Sequence, residues 1–391
     1  MEINQFTDFS KLDTSRLPSP CFVVDEVAVE RNLRILAGVA QASGAKVLSA
    51  LKAFSMWHFA PMVSSYLSGT CASGLHEARL GREHYGGEVH VFGAAYSESD
   101  LEQILAIADH VVFNSCAQWQ RFQPLLKAAL AGRPQLRFGL RINPEHSEGD
   151  VPIYDPCAPG SRLGIPLSQL DESVLAGISG LHFHTLCEQD FPPLQRTLAA
   201  VEERFGHLLP QMDWVNFGGG HHITRPGYQV DELVACVREF SERYAVQVYL
   251  EPGEAVAIGT GVLVSSVLDL GWNAVDQAIL DISATCHMPD VLEMPYRPGI
   301  LGGAEPGQRG YDYRLGGLTC LAGDVVGDYS FSAPLEPGQR LVFQDMAHYT
   351  MVKTSTFNGT RLPAIAVWNS DTDALQVVRE FGYEDFEQRL S

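Results

Sequence analysis

Short apolar runs alternate with amphipathic stretches along the first two-thirds of the chain. Residues 45–53, 89–92 and 136–142 are rich in aliphatic side chains, as is typical of buried strands. Between such runs, segments such as residues 231–244 place apolar side chains at helical spacing. About nine such strands precede residue 255, counting Cys21–Asp25 as the first. This alternation predicts an α/β fold whose parallel strands close into a (β/α)8 barrel.

The pattern changes after about residue 255. Strand-like runs follow one another there without helices between them, and Gly and Pro turns separate them. We therefore predict a barrel over residues 20–258, and an antiparallel β-barrel or sandwich domain over residues 259–391 together with residues 1–19. The predicted strands of this second domain are residues 262–270, 277–281, 317–321 and 339–343.

Composition and charge narrow the classes of function. The chain has 391 residues, of which 46% are apolar and 19% charged, so a disordered chain, a collagen-like fibre and a coiled coil are excluded. No apolar run approaches about 18 residues, which predicts no membrane span, and the first residues lack the pattern of a signal peptide, which predicts a cytoplasmic protein. The 27 basic and 47 acidic residues give a net charge of −20. This charge disfavours nucleic acid as a partner and suits a cationic small molecule, although it also suits solubility alone.

The cysteines do not form a recognisable framework. There are eight, irregularly spaced and without a C-x-x-C pair, which predicts free thiols and argues against a structural zinc site. They are Cys21, Cys71, Cys116, Cys157, Cys187, Cys236, Cys286 and Cys320.

Chemically capable residues follow several predicted barrel strands, and the carboxyl ends of barrel strands are where such folds place their active sites. Lys52 in that position would lose solvation, which lowers its pKa and frees its amine to attack a carbonyl, unless it is a surface lysine. Gly218, Gly219 and Gly220 would let backbone N–H groups surround a phosphate, or form a plain flexible turn.

Three further side chains complete this set. Glu251 would keep a pyridine nitrogen protonated, or serve as a helix cap or surface acid. His184 would stack on a flat cofactor ring, or lie in the core. Arg141 would pair with a cofactor oxygen or a carboxylate, or form an ordinary salt bridge. Together, a lysine, a glycine turn and an acid describe a site for pyridoxal 5'-phosphate.

The motifs that contain these residues resemble a known family. The chain is similar, over nearly its whole length, to the alanine-racemase-fold (fold type III) decarboxylases, which act on ornithine, diaminopimelate and arginine. The motifs are Ala-Leu-Lys-Ala at 50–53, Ser-Arg-Leu-Gly at 161–164, Gly-Leu-His-Phe-His at 180–184, Asn-Phe-Gly-Gly-Gly at 216–220, Glu-Pro-Gly at 251–253, Gly-Leu-Thr-Cys-Leu-Ala-Gly-Asp at 317–324, and Tyr349 through Phe-Asn-Gly at 357–359.

Other stretches resemble one branch of this family, the carboxynorspermidine (carboxyspermidine) decarboxylases of polyamine biosynthesis. These stretches are His-Thr-Leu-Cys-Glu-Gln at 184–189, Glu-Pro-Gly-Glu-Ala at 251–255, and Ala-Thr-Cys-His-Met-Pro-Asp at 284–290 through Met-Pro-Tyr-Arg-Pro at 294–298.

The resemblance implies a role for each matching residue. Cys320 would donate a proton to the carbanion and Asp324 would bind the distal amine of the substrate. In this family the Cys320–Asp324 segment crosses to the neighbouring subunit's site, so a homodimer is implied. Lys52 would bond to the cofactor aldehyde, His184 would stack on its ring, Glu251 would pair with its nitrogen, and Gly218–Gly220 with Tyr349 would bind its phosphate. Apart from the resemblance, we assign Arg162, Glu188 and Glu254 to substrate binding.

Two positions depart from the family pattern. Glu254 replaces the arginine that usually follows Glu-Pro-Gly, and Cys187 replaces a serine; both of the usual residues contact phosphate. Phosphate binding would then depend more on the glycines and Tyr349. Glu188 and Glu254 are additional acids that suit a cationic substrate, or lie in solvent.

The resemblance predicts a pyridoxal-phosphate-dependent carboxy-lyase that decarboxylates carboxynorspermidine or carboxyspermidine. A protonated ring nitrogen is a strong electron sink, and the racemases of this fold place an arginine there, so Glu251 argues against a racemase. The alternatives are decarboxylation of diaminopimelate, ornithine or arginine; a non-catalytic pyridoxal-phosphate-binding regulator; and a metal-dependent hydrolase that uses His182, His184, His221 and His222.

Overall fold

The computed structural model describes residues 7–149 and 151–391. Within this part of the chain, residues form two compact units, and each has its own sheet. The first unit comprises Glu30–Val256, and the second comprises residues 7–29 together with Ala257–Ser391. In these residues we find no helix with the length and apolar character that crossing a membrane requires.

Eight parallel strands form a closed ring in the first unit, which confirms the predicted barrel. The ring closes where Gln247–Leu250 pairs with Lys46–Ala50. In ring order the strands are Lys46–Ala50, Gly69–Ala72, Glu88–Phe92, His110–Phe113, Arg137–Asn143, Gly180–His182, Trp214–Asn216 and Gln247–Leu250, and the short strand Ile165–Pro166 pairs beside Arg137–Asn143.

Helices connect these strands, and their apolar faces explain their positions. In Val230–Tyr244, the residues Leu233, Val237 and Phe240 recur at helical spacing and are buried. Ser97 begins another helix, since its side chain accepts a hydrogen bond from the backbone N–H of Asp100 at 3.1 Å. The helices are Glu26–Ser43, Ala60–Tyr66, Leu75–Leu80, Glu98–Ile107, Cys116–Arg121, Gln123–Gly132, Phe191–Phe205, Val230–Tyr244 and Glu254–Ala257.

The second unit is built on an eight-stranded, mostly antiparallel sheet. Its strands enclose a core that includes Phe22, Leu263 and Phe343. The strands are Cys21–Asp25, Gly261–Asn273, Val275–Leu280, Tyr311–Gly316, Val325–Phe331, Arg340–Gln344, Ala364–Trp368 and Leu375–Arg379, and the short helices are Ala284–His287, Asp290–Glu293 and Tyr383–Glu387.

Two strand predictions are corrected here. Cys21–Asp25 is not a barrel strand, because it pairs with Gly261–Asn273 and Ala364–Trp368 in the second sheet. All five of its residues are buried, so its composition does not distinguish it from a barrel strand. Residues 317–321 form no strand but the start of a loop, after Tyr311–Gly316 has ended.

Polar residues fill the barrel where its strands begin, at the end opposite to Lys52. The Lys46 ammonium pairs with the Glu88 carboxylate, which also contacts His90 Nε2 at 2.9 Å. The rings of His90 and His110 stack with centroids 3.9 Å apart, and Tyr249 Oη donates to Glu88 at 3.0 Å. This cluster therefore places polar groups around the Glu88 carboxylate at the barrel floor, next to the apolar side chains of Leu48 and Val112.

The barrel floor predicts an acid-sensitive contribution to stability. Burial, and secondarily the neighbouring His90, lower the pKa of His110 to about 2. Folded His110 therefore stays neutral, whereas in the unfolded chain it binds a proton below about pH 6.5. Because only the unfolded state gains this proton, His110 reduces the free energy of unfolding by about 2 kcal/mol between pH 6.5 and pH 5.

We expect the His110→Gln variant to lose this pH dependence. Urea unfolding, followed by tryptophan fluorescence at pH 7 and pH 5, measures the effect, since Trp214 lies 4.8 Å from the His110 ring. The wild type is expected to lose about 2 kcal/mol more than the variant between the two pH values. Equal losses would contradict the prediction.

Candidate active site

Lys52 lies just beyond the carboxyl end of Lys46–Ala50, in a tight turn. The turn is held by the backbone N–H of Ala53, which donates to the Ala50 carbonyl at 3.1 Å. Lys52 Nζ lies 3.3 Å from His184 Nε2. Burial lowers the pKa of Lys52, and although Cys71 acts in the opposite direction, the Arg141 guanidinium lowers it further.

Hydrogen bonding assigns the protons of this pair. The backbone N–H of Gly219 donates to His184 Nδ1 at 3.0 Å, so a neutral His184 has its proton on Nε2. Burial, together with the charges of Lys52 and Arg141, places the pKa of His184 well below its ordinary value, which keeps the ring neutral. His184 Nε2–H therefore faces Lys52 Nζ and can donate a hydrogen bond to it when Lys52 is a neutral amine. The lowered pKa of Lys52 favours that nucleophilic form.

Glu251 follows the strand Gln247–Leu250, and both of its oxygens have hydrogen-bonding partners. Asn216 Nδ2 donates to Oε1 at 2.6 Å, and His182 Nε2 lies 3.3 Å from Oε2. Burial alone would raise the pKa of Glu251, but the interactions with His182 and Asn216 outweigh it and lower the pKa to about 2. Glu251 is therefore ionised at neutral pH.

A stack of side chains supports His182. Its ring lies parallel to that of Phe92, with centroids 5.5 Å apart and planes 17° from parallel. The Arg141 guanidinium lies 4.5 Å from the Phe92 centroid and donates to the His184 carbonyl at 3.0 Å. Burial lowers the pKa of Arg141 to about 10, so Arg141 remains a cation at neutral pH.

The sequence analysis missed several residues of this site. Asn216 ends the strand Trp214–Asn216 and lies in the Asn-Phe-Gly-Gly-Gly motif, but only the glycines of that motif were given a role. His182 was considered only as a metal ligand. Phe92 and Cys71 lie at the ends of barrel strands, where an apolar or thiol side chain gives no chemical signal; burial raises the pKa of Cys71 well above its usual value, which keeps it a thiol.

The glycine turn Gly218–Gly220 admits no larger residue. A Cβ atom would lie 2.5 Å from the Phe183 carbonyl oxygen at Gly218, 2.1 Å from that of Glu251 at Gly219, and 1.9 Å from that of Leu186 at Gly220. Gly218 and Gly220 also have positive φ angles of 69° and 86°. Glycine is thus required at all three positions by the close approach of neighbouring backbone segments, and at two of them also by the positive φ angle.

The phosphate role of Gly218, Gly219 and Gly220 stays a prediction, and two of their backbone N–H groups have partners within the chain. The N–H of Gly218 donates to Asn216 Oδ1 at 2.8 Å, and that of Gly219 donates to His184. Side chains of this chain thus already accept hydrogen bonds from the N–H groups of Gly218 and Gly219. A phosphate role for Gly220 and Tyr349 remains a prediction.

The residues assigned to substrate binding in the barrel occupy different surroundings. Glu254 Oε2 lies 3.0 Å from His222 Nε2, and both side chains are largely buried. Glu188 has a positive φ of 54° and accepts through its carbonyl from Arg225. The carbonyl of Arg162 accepts from Asn114 Nδ2 at 2.7 Å, and its side chain is exposed. The charge of Arg162 acts on Arg141, which donates to the His184 carbonyl.

Cys320, Asp324 and Tyr349 belong to the second unit. Cys320 is exposed, and its backbone N–H donates to Asn358 Oδ1 at 2.8 Å. Asp324 is buried and accepts hydrogen bonds from Ser283 Oγ at 2.8 Å, from Thr319 N and Oγ1 at 3.0 and 2.7 Å, and from Thr285 N at 3.2 Å. Two roles are possible for Asp324: holding the Cys320 loop in place, or contacting the substrate as the resemblance implies. These hydrogen bonds favour the first role.

The Asp324→Ala variant distinguishes these two roles. Loss of the buried acceptor is expected to loosen the Cys320 loop, so kcat should fall about 10-fold or more while KM changes less than about threefold. Steady-state kinetics of the Asp324→Ala and Asp328→Ala variants measure the effect. Asp328→Ala is the control, because it removes an exposed partner of Arg314. A large rise in KM at unchanged kcat would instead identify Asp324 as a substrate ligand.

The metal-dependent alternative finds no support in these contacts. His182 and His184 are engaged with Glu251 and Lys52, and His221 Nδ1 lies 2.9 Å from Tyr228 Oη. Within the described residues, the His, Cys, Asp and Glu group close enough to hold a metal is Glu88, His90 and His110 on the barrel floor, where Lys46 already neutralises the carboxylate.

The barrel site fits pyridoxal phosphate on three observations. Lys52 is a buried amine whose pKa is lowered, Glu251 is an anion with a partner on each oxygen, and Gly218–Gly220 is a tight turn that accepts only glycine. These provide a nucleophile, a partner for a ring nitrogen and a glycine turn at one end of the barrel, as the cofactor requires.

Comparison with known proteins gives a consistent assignment. Residues 21–347 match the family described as pyridoxal-dependent decarboxylase, C-terminal sheet domain. The chain is 45% identical over 378 residues to carboxyaminopropylagmatine decarboxylase of Synechocystis sp., covering 96% of each chain. It is 42% identical over 385 residues to carboxynorspermidine/carboxyspermidine decarboxylase of Campylobacter jejuni, covering 96% of this chain and 99% of the relative.

Solved structures of two decarboxylases share the fold of this chain. The crystal structure of Campylobacter jejuni carboxynorspermidine decarboxylase complexed with norspermidine superposes with a TM-score of 0.86 at 41% identity, covering 95% of this chain and 100% of that one. Diaminopimelate decarboxylase from Helicobacter pylori shares the fold with a TM-score of 0.80 at 16% identity, covering 95% of this chain and 96% of that one. From its sequence and its fold, the chain belongs to the pyridoxal-dependent decarboxylases.

Proposed function

We propose that this enzyme decarboxylates carboxylated polyamines, with carboxynorspermidine and carboxyspermidine as its substrates and norspermidine and spermidine as its products. The observation that supports this most is the identity of 42% and 38%, over nearly full length, to two relatives named for these substrates. Diaminopimelate and arginine decarboxylases share only the fold, at 15–18% identity.

Each residue of the barrel site would have a separate role in the reaction. Lys52, whose pKa is lowered by burial, would hold the cofactor through its aldehyde. Glu251 keeps a proton on the ring nitrogen, and His184 stacks on the ring. When bound, the cofactor supplies an electron sink for the pair of electrons released as carbon dioxide leaves.

Residues of the second unit would complete the reaction. Cys320 Sγ returns a proton to the substrate Cα, and Tyr349 binds phosphate with Gly220. We propose a homodimer in which the Cys320–Asp324 loop of one subunit serves the barrel of its partner. The exposure of Cys320 in the single chain supports this arrangement.

Charge supports a cationic substrate. The net charge is −20, and Glu254 stands at the position where diaminopimelate and ornithine decarboxylases usually have an arginine. Glu254 lies beside His222 and is largely buried, so it is not merely a solvated surface acid. An acid there would attract the ammonium groups of a polyamine and repel a second carboxylate, such as that of diaminopimelate.

A second candidate substrate is carboxyaminopropylagmatine. The 45% identity to the Synechocystis decarboxylase of that name favours it. Its chain ends in a guanidinium group where carboxynorspermidine ends in an ammonium. The two candidates therefore share the reacting amino-acid end and differ in the group that the far end of the pocket must recognise.

A substrate panel tests the proposal. The purified holoenzyme is assayed for carbon dioxide release with carboxynorspermidine, carboxyspermidine, carboxyaminopropylagmatine, diaminopimelate, ornithine and arginine. We expect kcat/KM for at least one carboxylated polyamine to exceed that for the last three by about 100-fold or more. Faster turnover of diaminopimelate or ornithine would overturn the proposal, and a preference for the guanidinium substrate would select the second candidate.

A further inference from the structure

Three neighbouring barrel strands bring His182, Asn216 and Glu251 together. His182 and Asn216 are paired across adjacent strands, and Asn216 is paired in turn with Tyr249, two residues before Glu251. His182 and Asn216 are both almost completely buried. Each contacts a different oxygen of the Glu251 carboxylate. Both partners of the carboxylate therefore come from the strands that lie on one side of Gln247–Leu250 in the barrel.

The orientation of Asn216 is fixed by the glycine turn. Its Oδ1 accepts the backbone N–H of Gly218 at 2.8 Å, so its Nδ2 must face Glu251. A reversed amide would place an acceptor against the carboxylate and a donor against an N–H group. Asn216 thus links the position of Glu251 directly to the glycine turn.

His182 serves as a neutral donor. Its Nδ1 is buried and has no hydrogen-bonding partner within the described residues, so a second proton there would have no acceptor. The charged groups that act on it are Glu251, which favours protonation, and Arg141 and Lys52, which oppose it; burial dominates and lowers the pKa of His182. The stacked Phe92 ring holds the imidazole in its plane.

We propose that His182 and Asn216 are positioning residues that hold the Glu251 carboxylate, through one neutral donor on each oxygen, as a full negative charge for the ring nitrogen of the cofactor. This inference rests on the proposed function of the same site. A cationic partner such as arginine would neutralise much of that charge, whereas two neutral donors fix the carboxylate and leave its charge available. Neither residue touches the reacting atoms in this account.

The test uses the holoenzymes of His182→Phe, Asn216→Leu, and the conservative His182→Gln, whose side-chain amide is a neutral donor. We expect kcat to fall about 10- to 100-fold in the first two, with KM within about threefold of the wild type. We also expect the pH midpoint of the cofactor's visible absorption to shift in both. His182→Gln should restore kcat and the midpoint most of the way to wild-type values.

Controls keep the outcomes separable. His110→Gln changes a similarly buried histidine on the barrel floor and is expected to leave both readouts unchanged at neutral pH. Asn216→Asp nearly preserves size, so it tests the donor if Asn216→Leu does not fold; two adjacent carboxylates should shift the absorption midpoint strongly.

Wild-type kcat and an unshifted absorption midpoint in the folded His182 and Asn216 variants would overturn this inference while leaving the proposed function intact. A wild-type protein that binds pyridoxal phosphate but decarboxylates none of the six amino acids of the panel would overturn the proposed function instead. In that case the absorption midpoints of the variants still decide whether these residues hold Glu251.

Discussion

Replacing Lys52 by alanine is expected to reduce kcat by about 1000-fold or more. Lys52 is the buried amine of the site; burial lowers its pKa, and its Nζ lies 3.3 Å from His184 Nε2. Without it the cofactor has no covalent anchor and the substrate amine must react with a free aldehyde. Assay of carbon dioxide release, together with the visible spectrum of the purified variant, measures both consequences.

Lys46→Ala is the matched control for this prediction. Lys46 begins the same strand, but its ammonium pairs with Glu88 at the opposite end of the barrel. We expect this variant to keep its visible absorption band and most of its activity. If Lys52→Ala retained wild-type kcat, or if only Lys46→Ala lost the band, the assignment of the nucleophile would be wrong.

Replacing Glu251 by glutamine is expected to lower kcat about 100- to 1000-fold with little change in KM. A neutral amide cannot stabilise a protonated ring nitrogen, so the electron sink weakens in the step where carbon dioxide leaves. Steady-state kinetics on a carboxylated polyamine measures the loss. Wild-type kcat in Glu251→Gln would show that the carboxylate charge is not needed.

The pH dependence provides a second check on Glu251. Because the pKa of Glu251 is lowered to about 2, the carboxylate stays ionised as the pH falls until about that value. The wild-type kcat profile should therefore show no loss from protonation of this group between pH 9 and about pH 3.5. A limb near pH 4.5 that disappears in Glu251→Gln would contradict the lowered pKa.

Much of the barrel site was predictable because its chemistry lies where parallel strands end. Lys52, His184 and Glu251 each follow a recognisable strand, and strand ends converge in a closed barrel. Asn216 and His182 were not assigned their roles, because a side chain that acts through a hydrogen bond to another residue has no signature of its own in the sequence. Their contacts depend on the register between strands, which a single sequence does not specify.

The second unit was harder to predict for a different reason. Cys21–Asp25 is apolar throughout, and its pairing with residues more than 200 positions away decides its sheet. Asp324 lies in a family motif, yet its oxygens are taken by Ser283, Thr285 and Thr319. The motif identifies the loop, whereas the hydrogen bonds indicate what the residue does in it.

The central claim is that this barrel binds pyridoxal phosphate covalently through Lys52. Borohydride reduction of the purified holoenzyme, followed by proteolysis and mass spectrometry, tests it most directly. The chain has five lysines: Lys11, Lys46, Lys52, Lys127 and Lys353. We predict a reduced cofactor adduct on the peptide that contains Lys52 and on no other. An adduct on another lysine, or no adduct after incubation with excess pyridoxal phosphate, would contradict the account.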